Sequence, residues 1–183
     1  HLESIALMLK DTDIIVIADE IYAELTYGET HTCFATLPDM YQRTLLISGF
    51  SKAFAMTGWR IGYLCGDPEL IAQAQKIHQH TIMCVPTFSQ FAAVEALRQC
   101  KLNNYADIKS MHEQYNRRRK LLVDELNKIG FDCFEPKGAF YAFPSIKKSG
   151  LTSEEFCTQL LYGKKVAIVP GSAFGAAGEG FVR

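Results

Sequence analysis

Two runs of apolar, largely β-branched residues constrain the fold of this chain most. One lies in the segment DIIVIADEIY (13–22), and the other opens TLLISGFS (44–51). Neither run alternates with polar residues, and such strands are typical of a parallel sheet that helices cover on both faces. We therefore predict an α/β fold with a mainly parallel sheet, in which RIGYLCG (60–66) forms a third strand.

Segments with helical spacing or helix-end signals surround these strands. Asp67-Pro68 starts one helix, because proline is favoured in a first helical turn, and Gly130 ends a long charged one as a C-terminal cap. The predicted helices span residues 2–11, 68–80, 87–100, 104–128 and 153–163. Beyond them, short apolar segments alternate with the last helix, which predicts a small α+β domain. We place the boundary on the long helix, so that residues 1–120 are part of a large domain and residues 121–183 form a small one.

The balance of charge argues against nucleic acid and membrane partners. The formal net charge is -1, which leaves no basic face for nucleic acid. The basic run Arg117–Lys120 shares its predicted helix with Glu113, Asp124 and Glu125, so it indicates a solvated face with i,i+4 ion pairs. No apolar run approaches the roughly 18 residues of a membrane span.

The cysteines and the two ends of the chain suggest its setting. Six cysteines are scattered without CxxC or Cys/His metal spacing. Disulfide frameworks belong to small, cysteine-dense secreted chains, so this pattern predicts reduced thiols, a cytoplasmic protein and no metal site. The chain opens on His1 rather than methionine and stops at GEGFVR within a predicted strand. We therefore expect a fragment of a longer protein.

Side chains able to do chemistry gather at the predicted strand ends, where open α/β sheets bind their ligands. An acid, a phenol, hydroxyls, an amine and a guanidinium come from Asp19, Tyr22, Ser48, Ser51, Lys52 and Arg60. Lys52 stands among small and apolar residues in SGFSKAFAMTGWRIGY (48–63), where an unpaired ammonium is costly. Either Lys52 pairs with an acid at the edge of the core, or it is a reactive amine with Arg60 binding an anion beside it.

The joint pattern resembles the class I/II aminotransferases, the aspartate-aminotransferase-like family of pyridoxal-phosphate enzymes. The motifs are Asp19-x-x-Tyr22, then Phe50-Ser51-Lys52 and Ala55-Met56-Thr57-Gly58-Trp59-Arg60-Ile61-Gly62, then Lys137-Gly138-Ala139-Phe140-Tyr141 and Gly180-Phe181-Val182-Arg183. They cover essentially the whole chain in the family's order. The resemblance implies the C-terminal half of such an enzyme.

The resemblance implies three catalytic residues. Lys52 would form the resting Schiff base with pyridoxal 5'-phosphate and later move the α-proton of the substrate. Asp19 would keep the pyridine nitrogen of the cofactor protonated, so that the ring can act as an electron sink. Tyr22 would hydrogen-bond the phenolic oxygen of the ring.

The remaining implied roles concern anions. Arg60 would bind the cofactor phosphate, for which a bidentate guanidinium is well suited, and Arg183 would bind the α-carboxylate of the amino acid. Many relatives carry a phosphate-binding serine three residues before the lysine, whereas this chain has Gly49 there. Ser51 or Ser48 would then take the place of that serine.

The implied activity is transfer of an amino group between an amino acid and a 2-oxo acid by a homodimer that builds each site from both subunits. A lyase or synthase of the same fold would use the same residues. A transcriptional regulator with an aminotransferase-like ligand-sensing domain is a further alternative. The segment HQHTIMCVP (78–86) has no arginine for a second carboxylate, which argues against a dedicated aspartate enzyme.

Overall fold

The computed structural model describes residues 1–183. The chain divides into two compact units, His1–Met111 and His112–Arg183. The division falls on the long helix, as does the domain boundary near residue 120, which stays a prediction. The helices are α1 (Leu2–Leu9), α2 (Pro68–Thr81), α3 (Thr87–Leu102), α4 (Ala106–Lys128) and α5 (Ser153–Lys164), and the strands are β1 (Val16–Asp19), β2 (Thr44–Gly49) and β3 (Gly62–Cys65).

The sheet has three strands in the order β1-β2-β3, all in the first unit. Strands β1 and β2 are parallel, with Asp19 opposite Ile47, and the predicted α/β fold is confirmed. Strand β3 runs antiparallel to β2, with Gly49 opposite Gly62. A parallel neighbour needs a crossover connection that is usually an α-helix, whereas the chain returns from β2 to β3 through the short loop 50–61, which contains a 3-10 turn at Thr57–Trp59 but no α-helix.

One face of the sheet carries the core of the first unit. Val16 and Ala18 pack against a cluster of Ala6, Phe34 and Met40, so that α1 lies on this side. The opposite face bears Ile15, Ile17, Ile47 and Leu64, all of them exposed, with Ile17 at 68%. The expected burial on both faces is therefore wrong for these residues, which face solvent in this chain.

Helix α3 supports the loop between β2 and β3. Ala93 contacts Phe50 and Met56 in one buried cluster. A second cluster joins Ala53 of the same loop to Cys100 and to Ile108 at the start of α4. The loop is therefore a packed part of the unit rather than a free connection.

The predicted helix ends are borne out by their capping contacts. Asp67 accepts a hydrogen bond from the Glu69 N–H at 2.9 Å, and Pro68 occupies the first turn of α2. Gly130 follows α4 with a φ of +94°, a left-handed conformation that suits a residue without Cβ. A capping box of Thr152 and Glu155 opens α5.

The second unit packs α5 against extended segments. Ile146, Cys157 and Val182 form its buried cluster. The short strands predicted here meet only at isolated bridges, Ser145 with Phe181 and Pro170 with Val182. Proline has no N–H to donate, so a proline within these segments prevents a longer ladder. Across both units, no helix is long and apolar enough to span a bilayer.

Candidate functional site

Asp19 ends β1 with its side chain exposed at the carboxyl edge of the sheet. Its Oδ1 atom accepts a hydrogen bond from the Ile21 N–H at 3.2 Å, which turns the chain away from the sheet. The Glu20 N–H still donates to the Ile47 carbonyl at 2.8 Å, so the parallel pairing persists up to this turn. The carboxylate is thus fixed where a ligand can reach it.

Lys52 and Tyr22 meet although they lie on different connections. The Lys52 Nζ atom is 5.7 Å from the centre of the Tyr22 ring, within the range of a cation–π contact. Tyr22 lies in a turn in which its carbonyl accepts from the Leu25 N–H at 2.9 Å. Both side chains are half-buried. The sheet therefore brings the predicted amine and phenol together at the edge that carries Asp19.

The loop 50–61 is closed at its base by its own backbone. The Phe50 N–H donates to the Ile61 carbonyl at 3.4 Å, and the Phe50 carbonyl accepts from the Phe54 and Met56 N–H groups at 3.3 and 3.2 Å. Ala55 adopts a φ of +54°, so the loop is tightly bent. Lys52 and Arg60 follow and precede this closing contact by two residues and one residue, so closure of the loop brings the two chain segments that carry them near each other.

Arg60 is held by its own loop and by α3. Its backbone is left-handed, with φ 52° and ψ 51°, and its Nη1 atom donates to the Thr57 carbonyl at 2.7 Å. The preceding Trp59 carbonyl accepts from Ser89 Oγ at 2.8 Å, and Ser89 is fully buried. Because a guanidinium has five N–H donors, most of this exposed group remains able to bind an anion.

The hydroxyl groups near Lys52 are those of Ser48 and Ser51. Ser48 Oγ donates to the Glu20 carbonyl at 3.4 Å, and Ser51 is half-buried in the turn before Lys52. At Gly49, a Cβ atom would lie 2.8 Å from the Gly62 Cα atom. Glycine is therefore required by the close approach of β2 and β3. The phosphate-binding role of Ser51 stays a prediction.

Glu20 binds the loop that follows β1, a role that the sequence did not reveal. Its carboxylate accepts from the Phe34 N–H at 2.9 Å and lies 2.9 Å from His31 Nε2. Burial by itself raises the pKa of Glu20, but hydrogen bonds from His31 and Phe34 outweigh it and bring the pKa below its usual value. An acid next to Asp19 and a lone histidine in the following loop were the available signal. This pair ties that loop to the end of β1.

Arg183 lies in the second unit, where its backbone pairs in both directions with Val169, at 2.8 and 2.9 Å. Its guanidinium carbon is 4.5 Å from the centre of the Tyr141 ring and 4.4 Å from that of Phe174. The residue also lines a cleft of about 680 Å³ whose other walls are mainly apolar. Arg183 is therefore an exposed cation flanked by two aromatic rings.

Solved structures share this fold. An aromatic aminotransferase from Pyrococcus horikoshii OT3 matches with a TM-score of 0.93 and 44% identity, over 100% of this chain and 48% of its own. An aspartate aminotransferase from Thermotoga maritima matches with a TM-score of 0.88 and 37% identity, over 100% of this chain and 45% of its own. The fold is therefore of the α/β class that these aminotransferases have.

A sequence model described as aminotransferase class I and II matches residues 1–183, and the chain belongs to this family. Among curated relatives, the Bacillus subtilis (strain 168) protein named "Putative aminotransferase YugH" is 55% identical over 184 residues, 100% of this chain and 46% of that protein. An aspartate aminotransferase of Pyrococcus abyssi is 46% identical, with the same coverage. The chain thus spans about half the length of the curated relatives it matches. Members of this family use pyridoxal phosphate.

Proposed function

We propose that this chain is the part of an aminotransferase that supplies Lys52, Asp19, Tyr22 and Arg60 to pyridoxal phosphate and Arg183 to the substrate. The reaction moves an amino group between an amino acid and a 2-oxo acid. Membership of the aminotransferase family along the full chain supports the reaction class. The side-chain geometry supports the division of roles.

The chemistry of the donor set fits the cofactor. An aldehyde needs an amine, a ring nitrogen that must stay protonated needs a carboxylate, and a phosphate needs a guanidinium. Lys52, Asp19 and Arg60 provide these groups from the first unit. When bound, pyridoxal phosphate supplies an electron sink that makes the α-C–H bond of an amino acid acidic.

Three residues of the chain would hold the cofactor and move protons. The Lys52 amine would hold the cofactor through its carbonyl group, and its Nζ atom would accept and return the α-proton of the substrate. The Asp19 carboxylate would hold a proton on the ring nitrogen, and its own position is fixed by the Ile21 N–H. Tyr22 lies beside the Lys52 ammonium. Its hydroxyl would donate to the ring oxygen of the cofactor.

The two arginines bind anions. Arg60 binds the phosphate with the donors that its bond to Thr57 leaves over. Arg183 binds and orients the carboxylate of the substrate, because a guanidinium and a carboxylate match in geometry and charge. Ser51 donates to the phosphate in place of the serine that Gly49 replaces. We also propose that the intact protein is a cytoplasmic homodimer.

The single observation that carries the proposal is the contact between the Lys52 ammonium and the Tyr22 ring at 5.7 Å, beside the strand that ends in Asp19. It brings together two side chains that the resemblance assigns to one cofactor. Neither residue belongs to the buried clusters of the first unit.

Reductive trapping tests the assignment. The intact protein is incubated with pyridoxal phosphate, reduced with borohydride and mapped by peptide mass spectrometry. We expect the label on Lys52, its loss in Lys52→Ala, and its retention in Lys101→Ala, which changes an exposed lysine of α3. A label on another lysine of the wild-type protein would show that Lys52 is not the reactive amine.

A further inference from the structure

Arg183 has a backbone that is fixed on two sides. It exchanges both of its backbone hydrogen bonds with Val169, at 2.8 and 2.9 Å. The preceding Val182 is buried and forms a bridge with Pro170. The starting point of the arginine side chain is therefore set by the core of the second unit, and only its own torsions remain to be fixed.

Two aromatic rings fix those torsions. The guanidinium carbon lies 4.5 Å from the Tyr141 ring centre and 4.4 Å from the Phe174 ring centre. A guanidinium over a ring uses its flat face, whereas its N–H donors lie in its plane. Ring centres within 4.5 Å of the guanidinium carbon fit such stacking, which leaves the donors available for an anion.

The Tyr141 ring is itself supported from α4. Tyr115 of α4 stacks on Phe140 at 5.3 Å between ring centres, and Phe140 contacts Tyr141 at 4.8 Å. Ala139 adopts a φ of +57°, a left-handed conformation that is uncommon for a residue with a Cβ. Such backbone persists only where the surroundings over-determine it, and it tends to occur at functional sites.

The Phe174 ring is supported in a similar way. Phe143 meets Phe174 edge to face at 6.0 Å, and Phe143 also stacks on Phe181 at 5.4 Å with the ring planes 8° apart. The two rings around Arg183 thus lie on separate segments, and each is supported by other aromatic rings. Loss of either ring would free the guanidinium without removing the charge.

From this geometry we propose that Tyr141 and Phe174 are positioning residues that hold the Arg183 guanidinium plane for a substrate carboxylate, and that the segment Lys137–Tyr141 is shaped to present the Tyr141 ring. This inference rests on the proposed function, in which Arg183 binds that carboxylate. The inference also gives the segment Lys137–Tyr141 a role, which its sequence pattern alone did not indicate.

The test compares ligands with and without a carboxylate in the intact holoenzyme. The probes are the best amino-acid substrate from a panel and the amine made by removing its carboxylate, measured as a competitive inhibitor. For Tyr141→Leu and Phe174→Leu we expect KM of the amino acid to rise roughly threefold to thirtyfold, the range that loss of one cation–π contact gives. The inhibition constant of the amine, kcat and pyridoxal phosphate affinity should stay within about twofold of wild type.

Two variants serve as controls. Tyr141→Phe keeps the ring and should restore the wild-type KM. Phe134→Leu removes an exposed ring of the same unit that does not line the cleft beside Arg183, and it should leave the KM unchanged. Phe174 is 49% exposed, so Phe174→Leu remains informative even if Tyr141→Leu does not fold.

The outcomes separate the inference from the proposed function. If Arg183→Lys leaves the preference for a carboxylate intact, the assigned role of Arg183 is wrong and the inference is wrong with it. If Arg183→Lys removes that preference while Tyr141→Leu and Phe174→Leu behave like Phe134→Leu, only the positioning role is overturned. An equal loss of amino-acid and amine binding would show that the rings are merely structural.

Discussion

Gly49 and Gly62 face each other across β2 and β3 at a distance that leaves no room for a side chain on Gly49. A Cβ atom there would lie 2.8 Å from the Gly62 Cα and 3.0 Å from the Ile61 carbonyl oxygen. Both neighbours are backbone atoms, so they cannot move aside as the end of a flexible side chain can. The strand pairing that positions the loop 50–61 thus depends on this glycine.

We predict that Gly49→Ser destabilises the protein by about 1–3 kcal/mol, since the added atoms must displace the backbone of β3. The measurement is the free energy of unfolding from urea titration. Gly58→Ser is the matched control, because nothing lies within 4 Å of a Cβ at that position. Equal stability of the two variants would contradict the steric argument.

Glu20 provides a prediction about pH. Burial raises the folded-state pKa of Glu20, but the hydrogen bonds with His31 and Phe34 lower it further, so that it lies below its usual value. The hydrogen bonds of the Glu20 carboxylate therefore stabilise the fold at pH values above the ordinary glutamate pKa. That contribution is lost as the pH falls through the lowered folded-state pKa. We expect Glu20→Gln to cost about 1–3 kcal/mol at neutral pH.

The difference in unfolding free energy between wild type and Glu20→Gln should therefore shrink as the pH falls through the folded-state pKa of Glu20. Glu24→Gln, an exposed acid on the same segment, should show no such trend. A constant difference from neutral to acidic pH would mean that the Glu20 charge does not anchor the loop.

Asp19→Asn tests the role of the carboxylate at the end of β1. The amide keeps the shape of the side chain but no longer favours a protonated ring nitrogen, so covalent cofactor binding should persist while turnover falls by at least about a hundredfold. Asp19→Glu should be milder, because the charge survives in a displaced position. The rate of single-turnover amino transfer measures both, with Asp13→Asn as control. Near-normal turnover by Asp19→Asn would reject the role.

The exposed apolar face of the sheet leads to a prediction for residues 1–183 expressed alone. Ile15, Ile17, Ile47 and Leu64 present a surface of the kind that drives association. We expect oligomers in light scattering coupled to size exclusion, and no amino transfer after pyridoxal phosphate is added. Ile17→Lys should shift the distribution toward monomer. A monomeric wild-type sample with saturable turnover would contradict the prediction.

Local patterns in the sequence were sufficient for much of this fold. The runs before Asp19 and before Ser48 predicted two parallel strands, and the caps at Asp67 and Gly130 marked helix ends that the structure confirms. These features depend on residues close together in sequence. For the same reason, the spacing of Lys52 and Arg60 was readable without any knowledge of tertiary contacts.

The features that the sequence could not provide depend on distant contacts. The direction of β3 follows from how the loop after Gly49 closes, and no residue of β3 signals it. The rings around Arg183 come from segments far apart in the chain. Glu20 resembled a second candidate acid beside Asp19, and only its bond to Phe34 shows that it faces a loop.

The closed loop 50–61 also bears on the order in which the fold assembles. The backbone hydrogen bond that closes the loop joins Phe50 to Ile61. These residues are so close in sequence that the entropy lost on closing the loop is small. Contacts of this kind form early, whereas the pairing of β1 with β2 must bring distant segments together. We therefore expect Lys52 and Arg60 to reach their arrangement at the rate of a local hairpin, and Tyr22 to join them only when the parallel strands dock.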